Sequence, residues 1–111
     1  MDSQKLEKIR EVIISHPEIK LAYLFGSQAT GNTGPMSDYD FAVYTDEPDR
    51  LKRSHLQTRL ITDFMGVLKT DAIDVVILND LDKPELAYDV VTEGIVLHEE
   101  EPYRLIVEPR I

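Results

Sequence analysis

The sequence predicts a small α/β domain of α+β-like type, in which a mixed sheet is flanked by helices. Apolar runs typical of strands alternate with segments of helical periodicity along the 111 residues. A long helical segment separates the second and third strand runs, which allows a right-handed parallel crossover between them. A glycine-rich loop joins the first and second runs, so these two strands are expected to be antiparallel neighbours. The predicted sheet is therefore mixed and not doubly wound.

The first half of the chain supplies one helix and two strands. Apolar residues recur at helical spacing over residues 3–15, and Pro17 ends that helix. Residues 19–25 form an apolar run bounded by Pro17 and Gly26, which is typical of a strand. Residues 38–44 form a second strand, and its apolar half has no polar interruption, as in buried strands.

The second half continues the alternation of helix and strand. Asp46, Glu47 and Pro48 are typical of a helix N-terminus and predict a long helix, whose apolar face extends to Leu68. Residues 73–78 predict a third strand. Asp82 and Pro84 are expected to open another helix, which Gly94 ends.

The C-terminal residues are less regular. Residues 95–97 predict a last short strand, whereas residues 99–111 contain two prolines and no clear period. We interpret residues 1–111 as a single domain, with 99–111 as a candidate segment for docking a partner. The run Glu99-Glu100-Glu101 makes that segment acidic.

Composition excludes several classes of function. Twelve Lys and Arg against twenty-one Asp and Glu give a net charge of -9, which argues against direct nucleic-acid binding because phosphate contacts need a positive surface. The absence of cysteine excludes disulfides, cysteine-ligated metals and thiol catalysis. No segment approaches the roughly 20 apolar residues of a membrane span, and the polar N-terminus is unlike a signal peptide. We therefore expect a cytoplasmic protein without membrane contact.

Three aspartates on two predicted strands are the candidate catalytic residues. Asp38 and Asp40 stand two apart at the start of the second strand, so their side chains share one face. Asp74 interrupts the apolar third strand, where a buried charge is costly unless it is paired or binds a cation. If these two strands are parallel, the three carboxylates meet at one edge of the sheet. Their mutual repulsion there favours a Mg²⁺ site.

The residues before these aspartates favour phosphate binding. Gly26 ends the first strand and Ser27 begins a helical turn, so backbone N–H groups and a hydroxyl can approach a phosphate. Ten residues separate Ser27 from Asp38. A second Asp-x-Asp at residues 80–82, which we interpret as a loop and helix cap, shows that this pattern alone is weak. The combination with Gly-Ser at fixed spacing and a third Asp is far more specific.

This combination resembles the polymerase-β-type nucleotidyltransferase superfamily and its fold. The small chain is similar to the minimal nucleotidyltransferase (MNT) branch, the antitoxins of HEPN/MNT toxin–antitoxin pairs. The resemblance implies that Asp38 and Asp40 hold two Mg²⁺ ions. It implies that Asp74 shares one of these ions and helps to deprotonate the acceptor hydroxyl. It also assigns Gly26 and Ser27 to binding the triphosphate of ATP.

One position departs from the pattern of that superfamily. Many members carry an arginine shortly after Gly-Ser, whereas residues 28–31 offer no cation. Lys52 and Arg53, early in the next helix, are the candidates in this sequence to supply one.

The resemblance implies an antitoxin that transfers AMP from ATP to a hydroxyl, on a tyrosine, of a cognate HEPN ribonuclease toxin. No second domain is visible to bind another acceptor, so the acceptor is expected to be the bound toxin, which the modification neutralises. One alternative is a catalytically silent antitoxin that masks the toxin by binding. The missing arginine favours that alternative and the three aspartates disfavour it. A further alternative is a small-molecule (antibiotic) nucleotidyltransferase, which would need an acceptor pocket.

Overall fold

The computed structural model of this chain describes residues 3–30 and 38–110. In chain order its elements are α1 (Ser3–Ile14), β1 (Ile19–Phe25), α2 (Ser27–Thr30), β2 (Tyr39–Thr45), α3 (Arg50–Leu68), β3 (Ile73–Ile77), α4 (Pro84–Glu93), β4 (Ile95–Glu99) and α5 (Tyr103–Val107). Short 3-10 helices occupy Leu78–Asp80 and Glu108–Arg110. The predicted glycine-rich loop falls on residues 31–37, outside the described residues. Among the helices described, none combines the length and apolarity needed to cross a bilayer.

The sheet has the strand order β3-β2-β1-β4. β1 is antiparallel to both β2 and β4, whereas β2 and β3 are parallel. The parallel pair is joined by α3, which is the predicted crossover helix. The mixed sheet predicted from the lengths of the connections is therefore confirmed.

Helices α3 and α4 begin slightly later than the sequence suggests. Asp49 caps α3, and its carboxylate accepts a hydrogen bond from the backbone N–H of Lys52 at 3.3 Å. α4 begins at Pro84 after Lys83, and no side chain caps it, so the predicted capping role of Asp82 is wrong. A proline in the first turn needs no such cap for its own nitrogen, because it has no N–H to satisfy.

The sheet has two faces with separate apolar clusters. On the first face, α1 and α3 pack against the sheet and bury residues such as Ile9, Phe41 and Phe64. On the second face, α4 and α5 cover a smaller cluster made of Leu21, Tyr23, Phe25, Ala42, Val90 and Val107. Side chains alternate along β2, so even-numbered residues of that strand project from the second face.

The C-terminal segment, which the sequence leaves unassigned, folds back onto the second face. Val107 is buried there, and the Tyr23 hydroxyl donates a hydrogen bond to the carboxylate of Glu108. Arg104 donates a second bond to the same carboxylate at 2.7 Å. Burial and the neighbouring Glu108 raise the pKa of Tyr23, so its hydroxyl remains a donor. These contacts attach the segment to the centre of the sheet.

Replacing Tyr23 by phenylalanine should lower the free energy of unfolding by about 1.5–3 kcal/mol, because a buried bond to a charged group is lost. Burial opposes ionisation of Glu108, but the hydrogen bonds from Tyr23 and Arg104 lower its pKa below the ordinary 4.5. A lowered folded-state pKa stabilises the fold above the unfolded-state value, and this contribution disappears as the pH falls through the folded-state pKa. The stability difference from wild type, measured by urea unfolding, should therefore shrink in acid. A difference that stays constant down to the lowest pH would contradict this.

Candidate active site

The three candidate aspartates lie at the N-terminal ends of β2 and β3, on the second face of the sheet. In the parallel register of these strands Asp40 stands directly beside Asp74. Asp38 precedes the first residue of β2 by one position, and strand alternation places its side chain on the same face as that of Asp40. The crossover through α3 thus brings together carboxylates that are distant in the sequence.

The electrostatics of Asp40 reflect this arrangement. Asp40 is half buried, and burial raises its pKa. The negative charges of Asp74 and Asp38 raise it further. Ionised Asp40 therefore has an electrostatic cost that a bound cation would relieve.

Asp74 is exposed, and the expectation that its charge is buried is wrong. β3 is an edge strand of the sheet, and this part of the second face opens to solvent. Within residues 3–30 and 38–110, no three His, Asp or Glu side chains already converge to hold a metal ion. The donor set nevertheless fits Mg²⁺, which commonly takes one or two protein carboxylates and completes its coordination with substrate phosphates and water.

Gly26 brings the backbone of the following turn against these carboxylates. Its φ of +73° is accessible to glycine and strained for other residues. A Cβ at this position would overlap Asp40 Oδ2 and lie 3.3 Å from Asp40 Cγ. α2 starts at the next residue, and the Ala29 N–H donates to the Gly26 carbonyl at 3.1 Å. The side chain of Ser27 lies outside the described part of the chain.

Neither cation proposed from the sequence faces the aspartates. The Arg53 guanidinium forms a double contact with Asp80, at 3.1 Å from Nε and 2.8 Å from Nη2. Lys52 lines a separate surface depression together with Glu18 and Glu47. The expectation is wrong because α3 begins after the C-terminal end of β2, at the opposite end of that strand from Asp40.

Arg50 is a cation that sequence reasoning missed. It lines a groove of about 350 Å³ along β3, together with Ser54, Gln57 and Asp74. Gln57 donates a 2.6 Å hydrogen bond to the Val75 carbonyl at this strand edge. The spacing of residues 50, 54 and 57 on one helical face is the signal that could have indicated a shared groove.

The amino-acid sequence is similar to those of a known family and of a curated protein. The family described as polymerase beta, nucleotidyltransferase matches residues 7–103. A curated relative, the protein adenylyltransferase MntA of Aphanizomenon flos-aquae (strain 2012/KM1/D3), is 39% identical over 90 residues. The match covers 76% of this chain and 59% of that protein. The chain thus spans less than two thirds of the length of this relative.

Solved structures show the same architecture. A chain in a crystal structure of a toxin–antitoxin complex with AMP-PNP superposes with a TM-score of 0.74 at 28% identity, over 95% of this chain and 82% of that one. Another lies in a rebuilt and re-refined structure of the tri-AMPylated Shewanella oneidensis HEPN toxin with its MNT antitoxin. Its TM-score is 0.70 at 26% identity, over 99% of this chain and 82% of that one. The predicted fold class is confirmed.

Proposed function

Because the chain belongs to the polymerase-β nucleotidyltransferase family, we propose that it is a nucleotidyltransferase antitoxin that transfers AMP from ATP to a hydroxyl, on a tyrosine, of a HEPN-type toxin. The observation that carries the proposal is the juxtaposition of Asp40 and Asp74 beside the Gly26 turn. The similarity to an adenylyltransferase and to antitoxins in solved complexes supports the same reaction.

In this proposal Asp38, Asp40 and Asp74 hold two Mg²⁺ ions. When bound, the metal supplies positive charge that orients the α-phosphate and neutralises the departing pyrophosphate. Asp40, whose pKa is raised by burial and by both neighbouring carboxylates, gains most from this neutralisation. The raised pKa supports a cation-binding role for Asp40, because without a cation the three carboxylates repel one another.

The protein groups have distinct tasks in the transfer. The backbone of the turn after Gly26, with the Ser27 hydroxyl, binds the phosphates of ATP. Asp74 accepts the proton of the toxin hydroxyl, and the hydroxyl oxygen attacks the α-phosphorus. The bond from this phosphorus to the bridging oxygen of the β-phosphate breaks, and pyrophosphate leaves. Asp74 suits this task because an exposed position on an edge strand can be reached by a protein acceptor.

Replacing Ser27 by alanine should weaken ATP binding modestly, by about 1.5–3 kcal/mol, the value of one hydrogen bond to a charged group. Isothermal titration with a non-hydrolysable ATP analogue measures the effect. Ser3→Ala, at the start of α1, is the matched control and should bind the analogue like wild type. Unchanged affinity in the Ser27 variant would remove this side chain from the phosphate site.

Labelling with radioactive ATP tests the proposed reaction. We expect the neighbouring reading frame to encode a short helical HEPN-type protein, and this protein is the substrate to use. The label should appear on it from ATP labelled at the α-phosphate and not from ATP labelled at the γ-phosphate, because AMP rather than the terminal phosphate is transferred. Label from γ-ATP would indicate a kinase, and label on a small-molecule acceptor instead would indicate an antibiotic nucleotidyltransferase.

A masking antitoxin without catalysis is the second candidate. It is favoured by the absence of a cationic residue in the sequence of residues 28–31. It predicts that the HEPN-type protein is neutralised equally well with and without ATP.

A further inference from the structure

Part of the second sheet face is left open by the helices. In the described part of the chain, α4 and α5 make their main sheet contacts with β1. Tyr44, Val76 and Leu78, on or just after β2 and β3, are only half buried. They lie on the same face as Asp40 and Asp74, because side chains alternate along a strand. These three residues form an apolar track that leads away from the candidate catalytic carboxylates.

A cavity of about 590 Å³ lies at the far end of this apolar track. Tyr44 lines it from β2 and Leu78 from the 3-10 helix after β3. Ala87 lines it from α4, and Ile106 and Val107 from α5. Tyr44 also packs against Tyr103, with ring centroids 6.0 Å apart, which fixes α5 as one wall. Ile106 is 42% exposed, so this wall presents an apolar side chain to whatever enters.

The polar residues at the cavity are largely engaged within the protein. The Asn79 side chain accepts from the Thr45 N–H at 3.1 Å and donates to the Thr45 carbonyl at 2.9 Å. Arg53 is bound by Asp80 at 2.8 Å. Asp82 and Lys83, of opposite charge, complete the lining. The cavity lining is therefore mixed: apolar side chains on two walls can contact an apolar group, and charged residues of both signs stand beside them. The net charge of -9 disfavours a nucleic acid as the occupant.

We propose that the apolar track and its cavity bind an extended segment of the protein that receives AMP. An apolar side chain of that segment enters the cavity, and the acceptor hydroxyl of the segment lies beside Asp74. This inference rests on the proposed function, because it names the route by which the acceptor reaches the carboxylates. At about 3.3 Å per strand residue, Leu78 lies roughly 13 Å along the sheet from Asp74, so about four residues separate the apolar anchor from the modified residue.

Ile106→Arg tests this proposal, because it places a charged side chain at the cavity wall. Ile95→Arg is the matched control. Ile95 is 39% exposed and pairs with Leu24 of the first-face cluster, so it projects from the opposite face of the sheet. Ile106→Ser removes the apolar side chain from the wall without adding charge. It is a second variant in case the arginine lowers the melting temperature.

Overlapping synthetic peptides that cover the HEPN-type protein are the probe, and fluorescence anisotropy without nucleotide measures their binding. We expect a peptide with a tyrosine about four residues from an apolar anchor to bind wild type. Binding should weaken at least about tenfold, or about 1.4 kcal/mol, in Ile106→Arg and stay unchanged in Ile95→Arg. Ile106→Ser should weaken it less.

The other possible outcomes would contradict either the apolar track or the proposed reaction. Binding that is insensitive to both Ile106 variants, or preferential binding of a single-stranded RNA oligonucleotide at this face, would overturn the apolar track as the acceptor site. So would the failure of all peptides to bind. Peptide binding that depends on Ile106, combined with no AMP transfer by wild type, would support the track and contradict the proposed reaction.

Discussion

Replacing Asp38 and Asp40 together by asparagine is expected to abolish AMP transfer and to raise the melting temperature of the metal-free protein. Transfer should fall at least about a thousandfold, because metal-bound charge stabilisation is worth several kcal/mol in such reactions. The fold should persist, because both side chains lie at the solvent-facing end of β2 and neither belongs to the buried clusters. Rates of AMP incorporation and thermal unfolding curves measure the two effects.

The stability gain in this variant should depend on pH in a defined direction. Burial, Asp74 and Asp38 raise the pKa of Asp40, so its ionised form destabilises the fold above that pKa. As the pH falls through the raised pKa, wild-type Asp40 becomes protonated and the advantage of the variant disappears. Asp71→Asn with Asp89→Asn removes the same charge from exposed positions and is the control. A parental transfer rate in the Asp38 and Asp40 variant would show that the metal assignment is wrong.

Replacing Gly26 by valine should have the second largest effect. A β-branched residue at a φ of +73° costs about 1–3 kcal/mol of stability, and its Cβ would displace the Asp40 carboxylate. A shift of about 1 Å in a catalytic group costs roughly a hundredfold in rate, so transfer should fall by at least that factor.

Gly66→Val provides the matched control for the Gly26 variant. Gly66 lies in α3, and a Cβ there has no atom within 4 Å. This control should be near neutral or slightly stabilising, because glycine is the poorer helix former. If the Gly26 and Gly66 variants are equally active, the turn after β1 has no role beyond connecting two elements.

The relative positions of the three aspartates could be predicted from the sequence, because they depend mainly on local periodicity and on the length of one connection. A strand period of two places Asp38 and Asp40 on one face, and the length of the α3 segment makes the next strand parallel. Together these features bring Asp74 alongside Asp40, as observed. Gly26 was likewise identifiable as a position of close approach, because a glycine at a strand end has no Cβ, and the structure places it against Asp40.

Features that depend on distant contacts were not predictable in the same way. The exposure of Asp74 follows from the edge position of β3, and strand order is not encoded in local apolar periodicity. Arg53 is held by Asp80, which lies 27 residues away, so its distance from the active site was not visible. The C-terminal segment folds through the Tyr23–Glu108 contact, which spans 85 residues, rather than through a pattern of its own.

We propose that this chain places AMP on a HEPN-type protein partner. Mass spectrometry of that partner, after incubation with this chain, ATP and Mg²⁺, tests it most directly. We predict that the partner gains the mass of AMP on a tyrosine and loses ribonuclease activity. The Asp38→Asn, Asp40→Asn variant should bind the partner without modifying it. An unmodified partner that is fully neutralised by both wild type and this variant would contradict the claim and identify a masking antitoxin.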